Sequence, residues 1–214
     1  MPENKAIYGF MILLIGGSII SCTGINNNSQ PEIVKPVFKQ EQFNPYAAVD
    51  KSPLDICYYP VNYPTQLMNG NDSAALLARV IYSRPQKDGR NIFGNEPPPQ
   101  CVQQYGTYWR LGANEASEIE FFKPVTIEGE KIAKGRYIIY CIPFENKWTI
   151  VFNNNLFSWG LRPDTTKNIV KVDIPAIKTD RVIEYFTMVF QESPGGANLI
   201  MAWDNVKAVL PISF

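Results

Sequence analysis

No histidine occurs anywhere in the 214 residues, and that one absence removes a large share of ordinary enzyme chemistry. A Ser-His-Asp triad, a Cys-His dyad, a His-rich metal site and an HExxH helix all depend on the imidazole ring. Any hydrolytic mechanism would rest on carboxylates, tyrosine, lysine or a metal held by oxygen atoms. The chain also lacks a glycine-rich phosphate loop and a CxxC pair, so nucleotide-binding, zinc-ribbon and thioredoxin-like readings fall away. Charge of either sign is not in excess: Lys+Arg and Asp+Glu number 20 each. No net field therefore draws nucleic acid or anionic lipid to the chain. Nothing in the sequence calls for a cofactor, and no loop has the spacing of a calcium site, Asp88, Asn91 and Asn153 to Asn155 being weak oxygen donors for a metal.

What is present points to strands. The chain is 45% hydrophobic and 13% aromatic, and 17 prolines and 14 glycines punctuate short runs rich in Val, Ile, Tyr and Phe. Its length suffices for one sizeable core.

The first 22 residues read as a targeting segment. Lys5 stands in a short head, Phe10 to Ile15 form an apolar run, and Ser21-Cys22 ends it. The run is shorter than the ~20 residues that span a bilayer, which suits a cleaved leader. Ile19-Ile20-Ser21-Cys22 resembles a bacterial lipobox, so the leader is expected to be cut before Cys22 and the thiol lipidated. The expected location is the bacterial cell envelope, with the protein anchored in the membrane and facing the periplasm. Residues 23–51 are polar and aperiodic, broken by Pro31, Pro36 and Pro45. As a flexible tether they would let the domain stand off the membrane by about 30 Å.

From residue 52 to 214 the pattern is short alternating runs between turn residues. Leu54–Tyr59, Ala75–Ser83, Glu118–Lys123, Val125–Ile127 and Trp148–Phe152 are expected strands. Arg136–Ile142 is apolar throughout after its first residue, as in a central strand buried on both faces. Later strands are expected at Val170–Ile174 and Val182–Phe190, followed by a closing hairpin turning at Asp204-Asn205. No window of this region holds a helical period. The expected fold is all-β, an antiparallel β-sandwich of the jelly-roll kind.

With Cys22 lipidated, Cys57, Cys101 and Cys141 remain, an odd set that leaves at least one thiol unpaired. Cys141, between Tyr140 and Ile142, reads as a small buried thiol. A Cys57–Cys101 bridge stays open as an alternative to free thiols.

The stretch Tyr82-Ser-Arg-Pro85, Gly89-Arg90, Ile92-Phe-Gly94, Tyr105-Gly106, Trp109-Arg110 and Gly112-Ala-Asn-Glu-Ala116 has a recognisable signature. Gly135-Arg-Tyr137, Ile142-Pro143, Trp148-Thr-Ile150, Phe152-Asn153 and Trp203 continue it. Together these residues resemble the bacterial "domain of unknown function 2911" family over roughly residues 52–214. The resemblance implies an exported protein and carries no activity. The chain departs from the family pattern at Glu96 to Gln104, where the link into Tyr105-Gly106 is longer.

Tyr82, Arg84, Arg90, Trp109, Arg110, Asn114 and Glu115 form the candidate ligand-binding set. In a binding module, Tyr82 and Trp109 would stack on a ring, Asn114 and Glu115 would bond hydroxyls, and an arginine would hold a carboxylate or phosphate. The structural alternative has Trp109 in the core and Arg110 paired with Glu115. A hydrolase would instead pair Glu115 with Glu118, Glu120 or Asp204. Three functions thus remain: a non-catalytic binder of a glycan, peptide or envelope partner, a carboxylate hydrolase, and a structural envelope component.

Overall fold

A computed structural model of the protein describes residues 46–214; the leader, Cys22 and most of the tether lie outside the described residues. Eleven strands run in chain order: β1 (Leu54–Tyr59), β2 (Ala78–Ser83), β3 (Phe93–Gly94), β4 (Gln103–Gln104), β5 (Glu118–Phe121), β6 (Val125–Ile127), β7 (Glu130–Ile132), β8 (Gly135–Pro143), β9 (Lys147–Asn153), β10 (Asn168–Ser193) and β11 (Gly196–Ser213). The described part is all-β, with one α-helix of six residues (Tyr63–Met68) and one short 3-10 turn. No helix among the described residues is long and apolar enough to cross a membrane.

Nine strands make one antiparallel sheet in the order β1-β2-β5-β8-β9-β10-β11-β6-β7. Continuity comes from β10, which is 26 residues long. Its first part pairs with β9 from Asn168 to Pro175, and its second part pairs with β11 from Ala176 to Ser193. The runs expected as two strands, Val170–Ile174 and Val182–Phe190, are therefore one. The polar residues between them form an irregularity in the ladder, where the register shifts between Lys178 and Ile183. Opposite that shift Asp204 adopts a left-handed conformation, φ 54°. The expected hairpin turn at Asp204-Asn205 is replaced by a bend inside a single strand. An 18-residue strand such as β11 would extend about 60 Å if straight. Here its ends meet, the Phe214 N–H donating to the Gly195 carbonyl at 3.3 Å.

That folding-over encloses the core. Alternation puts Val80 and Tyr82 of β2, Ile119 and Phe121 of β5, and Ile150 and Phe152 of β9 on its inner side. Phe186, Met188, Leu199, Met201 and Trp203 face them from β10 and β11. β8 is buried on both faces as expected: Tyr137, Ile139 and Cys141 enter the main core. Ile138 and Tyr140 enter a smaller cluster with Ala116, Val151 and Leu156. The outer face of β8 is thus covered by the two loops that build the site.

The three described thiols are all free. Cys101 donates to the Glu96 carbonyl at 2.7 Å, closing the proline-rich insertion on itself instead of onto Cys57. The parallel β3–β4 pair clips the base of that insertion. Burial, aided by the nearby Asp55 charge, pushes the Cys57 thiol up to about 12, and burial raises Cys141 well above the ordinary thiol range. Neither sulfur is a ready nucleophile.

Candidate functional site

The site grows from the segment between the Trp109 bridge and β5. Trp109 pairs backbone to backbone with Cys141, each N–H donating to the other's carbonyl at 2.8 Å. Beyond it the chain must leave the β8 edge and return to start β5. It does so through left-handed residues, Leu111 at φ 53° and Asn114 at φ 59°; Asn tolerates that conformation and Leu does so at a cost. Ser117 ties the loop shut by donating its hydroxyl to the Leu111 carbonyl at 2.6 Å.

A second loop, Asn154 to Asp164, lies against the first. The Ala116 N–H donates to the Ser158 carbonyl at 3.3 Å. Gly160, at φ 81°, sits where a Cβ would be 2.8 Å from the Ala116 Cβ and 2.9 Å from the Arg110 Cβ. Only glycine permits this approach. With Ser158 half-buried and Gly160 buried, the residues between them turn outward: Phe157 is 85% exposed and Trp159 57%.

Between the two loops, β2 and the chain preceding β1 lies a groove of about 550 Å³. Asn114, Glu115 and Ala116 come from the first loop, Trp159 from the second, Ile81, Tyr82 and Ser83 from β2, and Glu118 from the start of β5. Asp50 and Leu54 complete it. Asp50 falls in the segment expected to be tether, yet it accepts from the Asn114 amide at 2.5 Å, so the last tether residues touch the domain.

Of the seven candidate residues, Tyr82, Asn114 and Glu115 line this groove, and Arg110 stands directly behind it. The Arg110 guanidinium lies 5.6 Å from the centre of the Trp159 ring and donates to the carbonyls of Asn114 and Trp159. Burial lowers its pKa, and the Glu115 charge opposes that effect. No ion pair joins Arg110 and Glu115: the arginine clamps the two loops through carbonyl oxygens instead.

The other candidates are placed elsewhere, and the Tyr82 hydroxyl, although its residue lines the groove, is turned away from it. Trp109 is 5% exposed, packed among Trp148, Trp203, Phe186 and Phe93. Tyr82 is buried, and its hydroxyl donates toward Asp55 at 3.1 Å while accepting from the Met188 N–H at 2.9 Å. Burial is the main reason its phenol is raised. Arg84 straps β2 to β10, donating to Asp55, the Phe186 carbonyl and Thr187 at 3.1–3.3 Å. Arg90 is exposed and bonds its own loop, at the Lys87 and Gln86 carbonyls. The arginine fork expected for an anionic ligand is therefore not in the groove. Trp159, Asp50 and Ser83 are polar or aromatic groove residues that sequence reasoning did not name for a site, and Glu118 was named only as a hydrolase partner of Glu115.

The carboxylates named for a hydrolase are largely committed. Glu118 pairs with Arg136 at 3.1 Å, Glu120 with Arg79 at 2.7 Å and Asp204 with Lys87 at 3.2 Å. The Asn153 amide is likewise spent, donating to Asp164 and Asn168. Among the described residues no group of three or more His, Cys, Asp or Glu converges as a metal would require.

Residues 64–212 match the model of the family described as "Protein of unknown function (DUF2911)". The match covers most of the chain, including β2, both site loops and the β10–β11 ribbon, and the chain belongs to the DUF2911 family. No curated protein and no solved structure matches it.

Proposed function

We propose that this DUF2911 member is an exported, lipid-anchored binding module. Cys22 carries the lipid, and a domain of two stacked β-layers faces the periplasm and holds a glycan, peptide or envelope partner. One observation carries the binding reading: Trp159, largely exposed on a loop pinned by Gly160, walls a groove with Asn114, Glu115 and Glu118. An aromatic face beside hydrogen-bonding groups is the usual way to hold a ring or an extended chain. The loop clamp formed by Arg110 presets that wall, so little order would be lost on binding. A carboxylate hydrolase draws no support from this arrangement, because Glu118, Glu120 and Asp204 each face a cation in an ion pair.

Trp109, Trp148 and Trp203 are buried, so an aqueous quencher reads Trp159 above all. Cellobiose, a glucosamine disaccharide or a short peptide, titrated into the full chain, should protect this fluorescence from iodide. Trp159→Ala should remove the quenchable signal and the binding while leaving the melting temperature nearly unchanged. Protection by none of these probes would sink the groove as a binding site. The anchor has its own check. Labelled fatty acid should enter the wild-type protein in cells and be absent from Cys22→Ala; labelling that survives the substitution would dispose of the lipoprotein reading.

A further inference from the structure

We infer that the groove prefers ligands that present a protonated amine beside an apolar or ring face; this rests on the binding reading above and narrows it. The argument is an inventory of donors and acceptors. No lysine or arginine lines the groove, whereas Asp50, Glu115 and Glu118 do. Asp50 already accepts from the Ser52 N–H and the Asn114 amide and Glu118 faces Arg136, so Glu115 is the carboxylate left to a ligand. Three neighbouring arginines are occupied. Arg84 straps β2 to β10. Arg110 is held by two carbonyls behind the Trp159 ring, and Arg136 pairs with Glu118 and lies 5.8 Å from the Phe157 ring centre.

The neutral polar groups add few donors. The Asn114 amide is spent on Asp50 at 2.5 Å and Ser52 at 3.4 Å, and the Tyr82 hydroxyl is turned to Asp55 and Met188. The Ser83 hydroxyl and the Trp159 indole N–H are the side-chain donors left on the wall. A ligand carboxylate or phosphate would meet like charge and find only these two neutral side-chain donors. An ammonium group brings three donors and no acceptor, the complement of this lining. Because Arg110 already occupies one side of the Trp159 ring, a second cation on that ring is disfavoured. The free face therefore takes the hydrocarbon or sugar part, and Glu115 takes the amine, with Asp50 and Glu118 adding negative charge around it.

Two sources supply that chemistry, an amino sugar and a lysyl side chain, and matched pairs separate them. The full chain is titrated calorimetrically with a glucosamine disaccharide against its N-acetylated form, and with an acetylated Ala-Lys-Ala amide against the norleucine analogue. The charged member of at least one pair should bind about tenfold tighter at low salt, and the advantage should shrink toward 0.5 M salt, where the screening length falls to about 4 Å. Glu115 is exposed, so Glu115→Gln should fold normally and lose most of that advantage. Equal or tighter binding of the neutral members overturns the amine preference while leaving the groove reading intact, as does an advantage unmoved by Glu115→Gln. If no member of either pair binds, the amine preference falls, and the groove reading falls with it only if cellobiose too leaves Trp159 open to iodide.

Discussion

Trp109→Ala should destabilise the protein by about 3–5 kcal/mol in denaturant unfolding, the range found for removing a buried large aromatic. The ring is the hub of the core, lying 4.8 Å from Phe186, 5.4 Å from Phe93, 5.5 Å from Trp148 and 5.8 Å from Trp203, centre to centre. These rings come from β3, β9, β10 and β11, so the side chain joins the small β3–β4 sheet to three neighbouring strands of the large one. Its deletion leaves a hole that no single neighbour can fill, because Trp148, Trp203 and Phe186 are themselves fully buried and closely packed. The backbone bridge to Cys141 would also lose its lock, loosening the start of the Arg110 loop. Trp109→Phe keeps part of the ring and should cost less. The contrast with Trp159→Ala is the informative one. The first should cost stability and the second binding, and a loss below about 1 kcal/mol for Trp109→Ala would contradict the core placement.

That contrast marks where sequence reasoning succeeds and where it stops. Glu118–Phe121, Val125–Ile127 and the β8 run were legible because burial on one face or two writes period-two or continuous apolarity directly into the chain. The boundary inside β10 was misread for an equally local reason. Lys178-Thr-Asp-Arg181 is polar and looks like a turn, yet the strand continues through it: pairing with β11 lapses after Lys178–Val206 and resumes at Ile183–Asp204, where β11 bends. Whether a polar interruption becomes a turn or a bulge depends on a partner strand remote in sequence. The same holds at Asp204, which carries the conformation of a turn residue without turning the chain out of its strand.

The site was legible as a neighbourhood more than as a list. Gly112 to Ala116 did lead to a groove, and Asn114 and Glu115 line it. Trp109 and Tyr82 could not be sorted between pocket and core from composition, since an aromatic residue at a strand end serves either. Trp159 went unassigned because its loop carries no motif and no charge pattern. A signal was nevertheless present: Phe157, Trp159 and Leu161 alternate with Ser158 and Gly160 outside any regular element. A loop that spends three large apolar residues on solvent while setting a glycine beneath them is displaying something. Asp50 carried no signal, because its role depends on where the Asn114 amide ends up.

Gly196→Ala should be the most damaging exchange of a single hydrogen for a methyl group in the fold, at about 3 kcal/mol or more. A Cβ at this position would stand 1.9 Å from the Ile212 carbonyl oxygen, 2.9 Å from its carbon and 3.0 Å from the Ser213 Cα. All three atoms are backbone, so no rotamer change relieves the clash, and the two ends of β11 would have to part. They are held by the Tyr59 hydroxyl, which donates to the Gly196 carbonyl at 2.7 Å, and by the Tyr59 ring stacked 5.1 Å from Phe214. Separation would therefore release β1 from the ribbon as well. Gly195→Ala provides the control. That residue has φ 78° with nothing within 4 Å of the added atom, so it should cost only the 1–2 kcal/mol or so of a left-handed alanine. If the methyl acts by forcing the ends apart, adding Tyr59→Phe to Gly196→Ala should cost less than it does alone, since the hydroxyl bond is already lost. Equal costs for the two glycine variants would mean that β11 does not close on itself through backbone contact.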